Sequence, residues 1–164
     1  MVNVPQPVLV EQDDQDSGQQ PNSERHLVGR ALTGWETLRG DRRFPGLADY
    51  GDLAEGEIAD EHFLIAMGDN EESDEFVRAG ANLKRALRMD PLGKKVMDVL
   101  PSATEKGLSF CRAAAELKKP IADVGQFTNI KGEDVCYRSV LLPLSDDQQT
   151  VNYLVGAFSF KFLD

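Results

Sequence analysis

Hydrophobic positions set the reading frame of this chain. From about Ser23, Val28, Leu32, Trp35 and Leu38 recur at spacings of four and three, with Leu27 and Ala31 alongside, the period of one helical face. Ser23 supplies an N-cap, and Gly40 followed by Pro45 supplies the stop. His62-Phe63-Leu64-Ile65-Ala66-Met67 is a short apolar run and predicts a buried strand. Gly68 to Asp74 then reads as a hairpin turn and Glu75 to Gly80 as the returning strand. Short helical pieces follow, interrupted at Asp90-Pro91-Leu92-Gly93. A longer helix is predicted over 102–119, with Leu108, Cys111 and Ala115 on its apolar face and Lys118-Lys119-Pro120 closing it.

Three strands complete the pattern. Ile121 to Thr128 and Val135 to Leu144 flank the turn Asn129-Ile130-Lys131-Gly132-Glu133-Asp134, and Val151 to Phe162 comes last. That last strand alternates, with Leu154, Phe158, Phe160 and Phe162 on one face and Val151, Tyr153, Val155 and Ala157 on the other. Both faces are apolar, so both must be covered. Strands at both ends with helices between them predict an α+β fold with a five-stranded antiparallel sheet, flanking helices and an N-terminal helix.

Composition adjusts this picture at the N-terminus. The chain has 164 residues, the length of one domain. Residues 1 to 24 hold five acids, no lysine or arginine, and many Gln, Pro, Asn, Ser and Gly. Residues 1–22 are therefore expected to be a disordered acidic tail dispensable for folding, and residues 23–164 the single domain. Acids outnumber bases 28 to 18 for a net charge of −10, which disfavours nucleic acid as a partner. No apolar run approaches a membrane span and no signal-peptide pattern opens the chain, which leads to the expectation of a cytoplasmic protein without membrane contact.

Candidate chemistry is sparse. Residues 49–75 contain 11 acids and no lysine or arginine, and the turn Asp69-Asn70-Glu71-Glu72-Ser73-Asp74-Glu75 invites a calcium reading. It lacks the mid-loop glycine and twelfth-position glutamate of an EF-hand loop, so a solvated acidic turn is expected and no metal site. Arg78, Lys84, Arg85, Arg88, Lys94 and Lys95 then form a basic run that reads as a solvated face neutralising the acidic stretch. The two cysteines, Cys111 and Cys136, make no disulfide scaffold. Neither His26 nor His62 has a serine or cysteine partner in a recognisable arrangement, and there is no phosphate loop, dinucleotide fingerprint, HExxH or CxxC, so the chain is not expected to be an enzyme.

The element order resembles a PAS domain, and local motifs sharpen the likeness to a bacterial PAS-like family known largely from alphaproteobacterial genomes. Leu38-Arg39-Gly40-Asp41-Arg42-Arg43-Phe44-Pro45 resembles its LRGDRxxP opening, and Phe76-Val77-Arg78-Ala79-Gly80 is similar to its YRLxG strand. Asp90-Pro91-Leu92-Gly93 stands where the family has DLTG, and the segment from Arg138 to Ser145 resembles its RLLLPL strand. Gln148-Gln149 occupy a hairpin where a turn glycine is commoner.

The resemblance implies a non-catalytic sensor or adaptor in signal transduction or regulation, acting through a ligand or another signalling protein. A small-molecule-binding module is the alternative, with a small enzyme behind it. Haem is disfavoured because residues 102–119 offer no histidine, and a photoactive flavin because Asn82-Leu83-Lys84-Arg85-Ala86-Leu87 lacks the required cysteine. No output domain follows in the sequence, so the signal is expected to leave through contacts. Arg78 and Arg138, flanked by apolar residues, and Cys111 are the candidate ligand or partner contacts. Val28, Leu32 and Trp35 are the candidate contacts of a homodimer, or else the seam of a helix lying on its own core.

Overall fold

In the computed structural model, residues 6–9, 23–53, 58–99 and 108–163 are described. The elements in chain order are β1 (Gln6–Leu9), α1 (Ser23–Arg39), β2 (His62–Ala66), β3 (Glu75–Ala79), α2 (Ala81–Leu87), α3 (Val96–Val99), α4 (Leu108–Leu117), β4 (Ile121–Thr128), β5 (Asp134–Leu144) and β6 (Tyr153–Phe162). Two 3-10 turns, Leu47–Leu53 and Glu71–Ser73, lie between them. The strands form one antiparallel sheet in the order β1-β4-β5-β6-β2-β3.

The five strands read from the alternation are all present, within one or two residues of the expected bounds. A sixth strand corrects the reading of the N-terminal tail. Gln6–Leu9 pairs with β4, Pro7 opposite Asp123 and Leu9 opposite Ile121. Backbone pairing needs little side-chain hydrophobicity, and Gln6-Pro7-Val8-Leu9 sits at the sheet edge, where a proline without an N–H is tolerated. The remaining residues of the expected tail, 1–5 and 10–22, lie outside the described set, as do residues 102–107 of the expected long helix.

Strand alternation gives the sheet two faces. On one, Leu64, Val140, Leu142, Val155 and Ala157 are buried, and α1 packs over β5 and β6. The opposite face carries Phe63, Tyr137 and Phe158 and is covered by α2 and α4. Helix, sheet and helices thus make three layers, which answers the need to cover an apolar sheet on both sides.

This arrangement decides the role of α1. Leu32 and Trp35 are buried in the chain's own core, Val28 packs against it, and Trp35 Nε1 donates a 2.8 Å hydrogen bond to the Pro143 carbonyl. Of the two readings of this helix, Leu32 and Trp35 take the one that lays it on its own core; Val28, half-buried, packs at the margin of that seam. Pro143 lies beyond the last residue of β5 that pairs with β4, so the ladder loses nothing by its missing N–H.

The LRGDRRFP segment is a structural clasp. Gly40, at φ 61°, ends α1 in the left-handed region that glycine enters without a side-chain clash. Arg42 Nη2 then bonds the Leu38 carbonyl at 2.7 Å and Asp49 Oδ2 at 2.8 Å. Gln148 Oε1 accepts the backbone N–H groups of Arg43 and Phe44 at 2.9 and 3.1 Å, and its Nε2 donates to Phe44 and Ser145. Gln148 itself stands at φ 66°, so the turn keeps the geometry that favours glycine while its amide ties the end of α1 to the β5–β6 hairpin.

Candidate functional site

The face beneath α2 and α4 is an aromatic surface with one polar cluster in it. Phe63 lies flat over Gly156, where any Cβ would run into its ring. Its ring meets Phe76 edge-on at 5.9 Å and Phe158 at 6.4 Å, and Tyr137 stacks on Phe158 at 5.8 Å. Phe127 closes the row against Tyr137 at 5.9 Å.

Asp123 stands in this surface. It belongs to the inward set Ile121, Asp123 and Phe127 of β4 and is only 6% exposed. Its partner across the ladder is Ser139, and the Tyr137 hydroxyl donates to Asp123 Oδ2 at 3.0 Å. Asp123 Oδ1 is buried and accepts no hydrogen bond. Burial pushes the carboxyl up to about 7, while the Tyr137 and Ser139 hydroxyls pull it back toward the ionised form. Tyr137 in turn is raised by its own burial and by the neighbouring carboxyl. Cys111, buried on α4, lies near Tyr137.

A second buried carboxylate is paired with an arginine. Asp74, wholly inaccessible, accepts the Gly68 N–H and Arg112 Nη2 on Oδ1, both at 2.9 Å. Arg112 also donates to the Gly68 carbonyl at 2.8 Å, so α4 is pinned to the β2–β3 turn. The acidic turn read as a calcium candidate is thus organised around an arginine. Among the described residues no group of three or more His, Cys, Asp and Glu side chains could hold a metal ion.

Part of the basic run meets carboxylates. Arg88 meets Glu133 through Nε and Nη2 at 2.8 and 3.2 Å, Lys95 reaches Glu75 at 3.5 Å, and Lys84 reaches Asp90 at 4.0 Å. Arg85 bonds the neutral Asn82 Oδ1 at 2.6 Å. These exposed pairs add little stability.

The structure separates the other sequence candidates. Arg138 and Arg78 share the α1 face of the sheet, three strands apart, about 14 Å by strand spacing alone, so they do not form one anion site. Arg78 is half-buried and donates to the Val77 carbonyl. Arg138 is also half-buried, between Val124 and Ser159 on the flanking strands, and no carbonyl or carboxylate takes its guanidinium among the described residues. Cys111 alone lies on the helix-covered face. Asp123, Tyr137 and Ser139 were not singled out from the sequence, although a carboxylate on the inward beat of Ile121-Ala122-Asp123-Val124 was a legible signal.

No family model and no curated protein matches the chain. Among solved structures, the chain is similar to that described as "Structure of an RNA-binding Light-Oxygen-Voltage Receptor", with a TM-score of 0.53 and 15% identity. The match covers 98% of this chain and 38% of that one. The likeness establishes a PAS-like α+β fold.

Proposed function

We propose that this chain is a non-catalytic sensor or adaptor of the bacterial PAS-like type, working in cytoplasmic signal transduction, with its input on the helix-covered sheet face. Fold alone does not assign function. The observation that carries the reading is Asp123 Oδ1, a buried carboxylate oxygen without a hydrogen-bond partner on the face where α2 and α4 meet the sheet. Leaving such a group unpaired costs on the order of 1–3 kcal/mol, a cost that a bound small molecule would remove. Output would pass along β4, which carries Asp123 on one face and pairs with β1 at its edge. Self-association, expected from the sequence, would use a surface other than Leu32 and Trp35.

RNA binding, named for the neighbouring structure, is not carried over to this chain. A net charge of −10 opposes a phosphate backbone, and Lys84, Arg88 and Lys95 of the basic run already meet carboxylates. Native mass spectrometry of the purified protein, with capture of partners from the native cell, tests the proposal. A retained small molecule lost in Asp123→Ala, or a signalling protein captured by the intact chain, is the expected result. An empty chain that captures nothing would sink it.

A further inference from the structure

Resting on that reading of the helix-covered face as the input, one feature of Asp123 names the chemistry of what it takes. A buried carboxylate normally has a cation or several N–H donors beside it. Asp123 has only neutral hydroxyls for company, Tyr137 bonding Oδ2 and Ser139 beside it across the ladder, and Oδ1 accepts no hydrogen bond. The arginines of the covering helices are committed elsewhere: Arg85 to Asn82, Arg88 to Glu133, and Arg112 to Asp74 and Gly68. Among the described residues no cation is paired with Asp123. Tyr137, which meets the carboxyl through its hydroxyl, stacks on Phe158 of the same sheet face, and Gly125, opposite Tyr137 on β4, adds no side chain to that face.

We infer that this face recognises a small organic cation, an N–H of a protonated amine or amidine bonding Asp123 Oδ1 while Tyr137 and Phe158 hold its apolar body. Charge-assisted N–H···O bonds are the strong ones, and aromatic faces attract cations. The chain's net negative charge raises the local concentration of such a ligand rather than repelling it. The groups acting on Asp123 are the Tyr137 and Ser139 hydroxyls; Cys111 of α4 lies beyond Tyr137, and Arg112 is turned to Asp74. Because the cation pairs with the ionised carboxylate, binding releases to solvent whatever proton Asp123 holds.

Calorimetric titration of the full chain with ethylammonium, benzylammonium and benzamidinium, each at pH 8 and pH 5.5, tests this, with benzyl alcohol as the neutral control. At least one cation should bind where the alcohol does not. Asp123→Asn should weaken that cation tenfold or more at pH 8. Wild-type affinity should fall ~30-fold between pH 8 and pH 5.5, about tenfold per pH unit below the carboxyl's midpoint, while the variant's stays level. Circular dichroism of the variant at pH 5.5 establishes that it is folded. Binding by none of the cations, or equal binding to Asp123→Asn, overturns the inference. If a neutral or anionic molecule is then found retained by the wild-type chain, the sensor reading stands and only the cation assignment falls; if nothing is retained or captured, both fall.

Discussion

Asp123 makes stability depend on pH in a direction opposite to most carboxylates. Its folded-state value, about 7, lies above the unfolded value of 3.8, so between these limits the folded chain binds more protons than the unfolded one. Stability is therefore greatest below pH 4, as far as this group is concerned, and is lost as pH rises toward 7, by roughly 4 kcal/mol in total. Asp123→Asn keeps an acceptor for the Tyr137 hydroxyl but cannot ionise. Urea unfolding at pH 5 and pH 8 should show the wild type losing stability across that range and the variant losing less; parallel losses would contradict the burial argument. Arg112→Met is the complementary test at the other carboxylate. It leaves Asp74 buried without its guanidinium and should cost about 3–5 kcal/mol, measured by the same method at pH 7.

At the scale of elements, α1 is held by its apolar face and by one directional bond. Trp35→Phe retains most of the ring and drops only the bond to Pro143, an expected loss of about 1–2 kcal/mol. Trp35→Ala also opens a cavity between α1 and the sheet and should cost about 3–5 kcal/mol. A helix reserved for a second subunit would instead give a shift in sedimentation with little change in the unfolding midpoint. Across the sheet, Gly156→Ala pushes a methyl into the Phe63 ring and should cost about 1–3 kcal/mol, partly recovered in the double variant with Phe63→Leu. Denaturation midpoints of the two single variants and the double variant would show the coupling.

The whole molecule depends on β1 in a way the composition of its first residues conceals. Deleting residues 1–9 removes a strand that covers the β4 edge and leaves a row of backbone N–H and C=O groups open. We expect a melting temperature lower by about 2–8 °C and a greater tendency to aggregate at micromolar concentration, measured by calorimetry and light scattering. An unchanged melting temperature would mean that the pairing contributes nothing to stability. Because β1 pairs with the stretch of β4 that holds Asp123, the same deletion also tests whether the two faces communicate.

Periodicity and punctuation were enough to read α1, α2, the five strands and their turns. The alternation of β6 and the stops at Gly40, Pro91 and Pro120 act over a few residues, and local sterics and burial decide them without reference to the rest of the chain. The α+β class followed from the same local signals in order. The remaining features join residues far apart in sequence. Gln6–Leu9 becomes a strand because β4 offers an unpaired edge, and no period within Gln6-Pro7-Val8-Leu9 announces it. Whether α1 covers its own sheet or a partner's depends on a carbonyl at Pro143, 108 residues away. Asp123 looks like any strand carboxylate until the fold brings Tyr137 to one oxygen and turns Arg85, Arg88 and Arg112 of the covering elements to other partners. Burial and pairing are properties of three-dimensional neighbours, so only the tertiary structure could set this site apart.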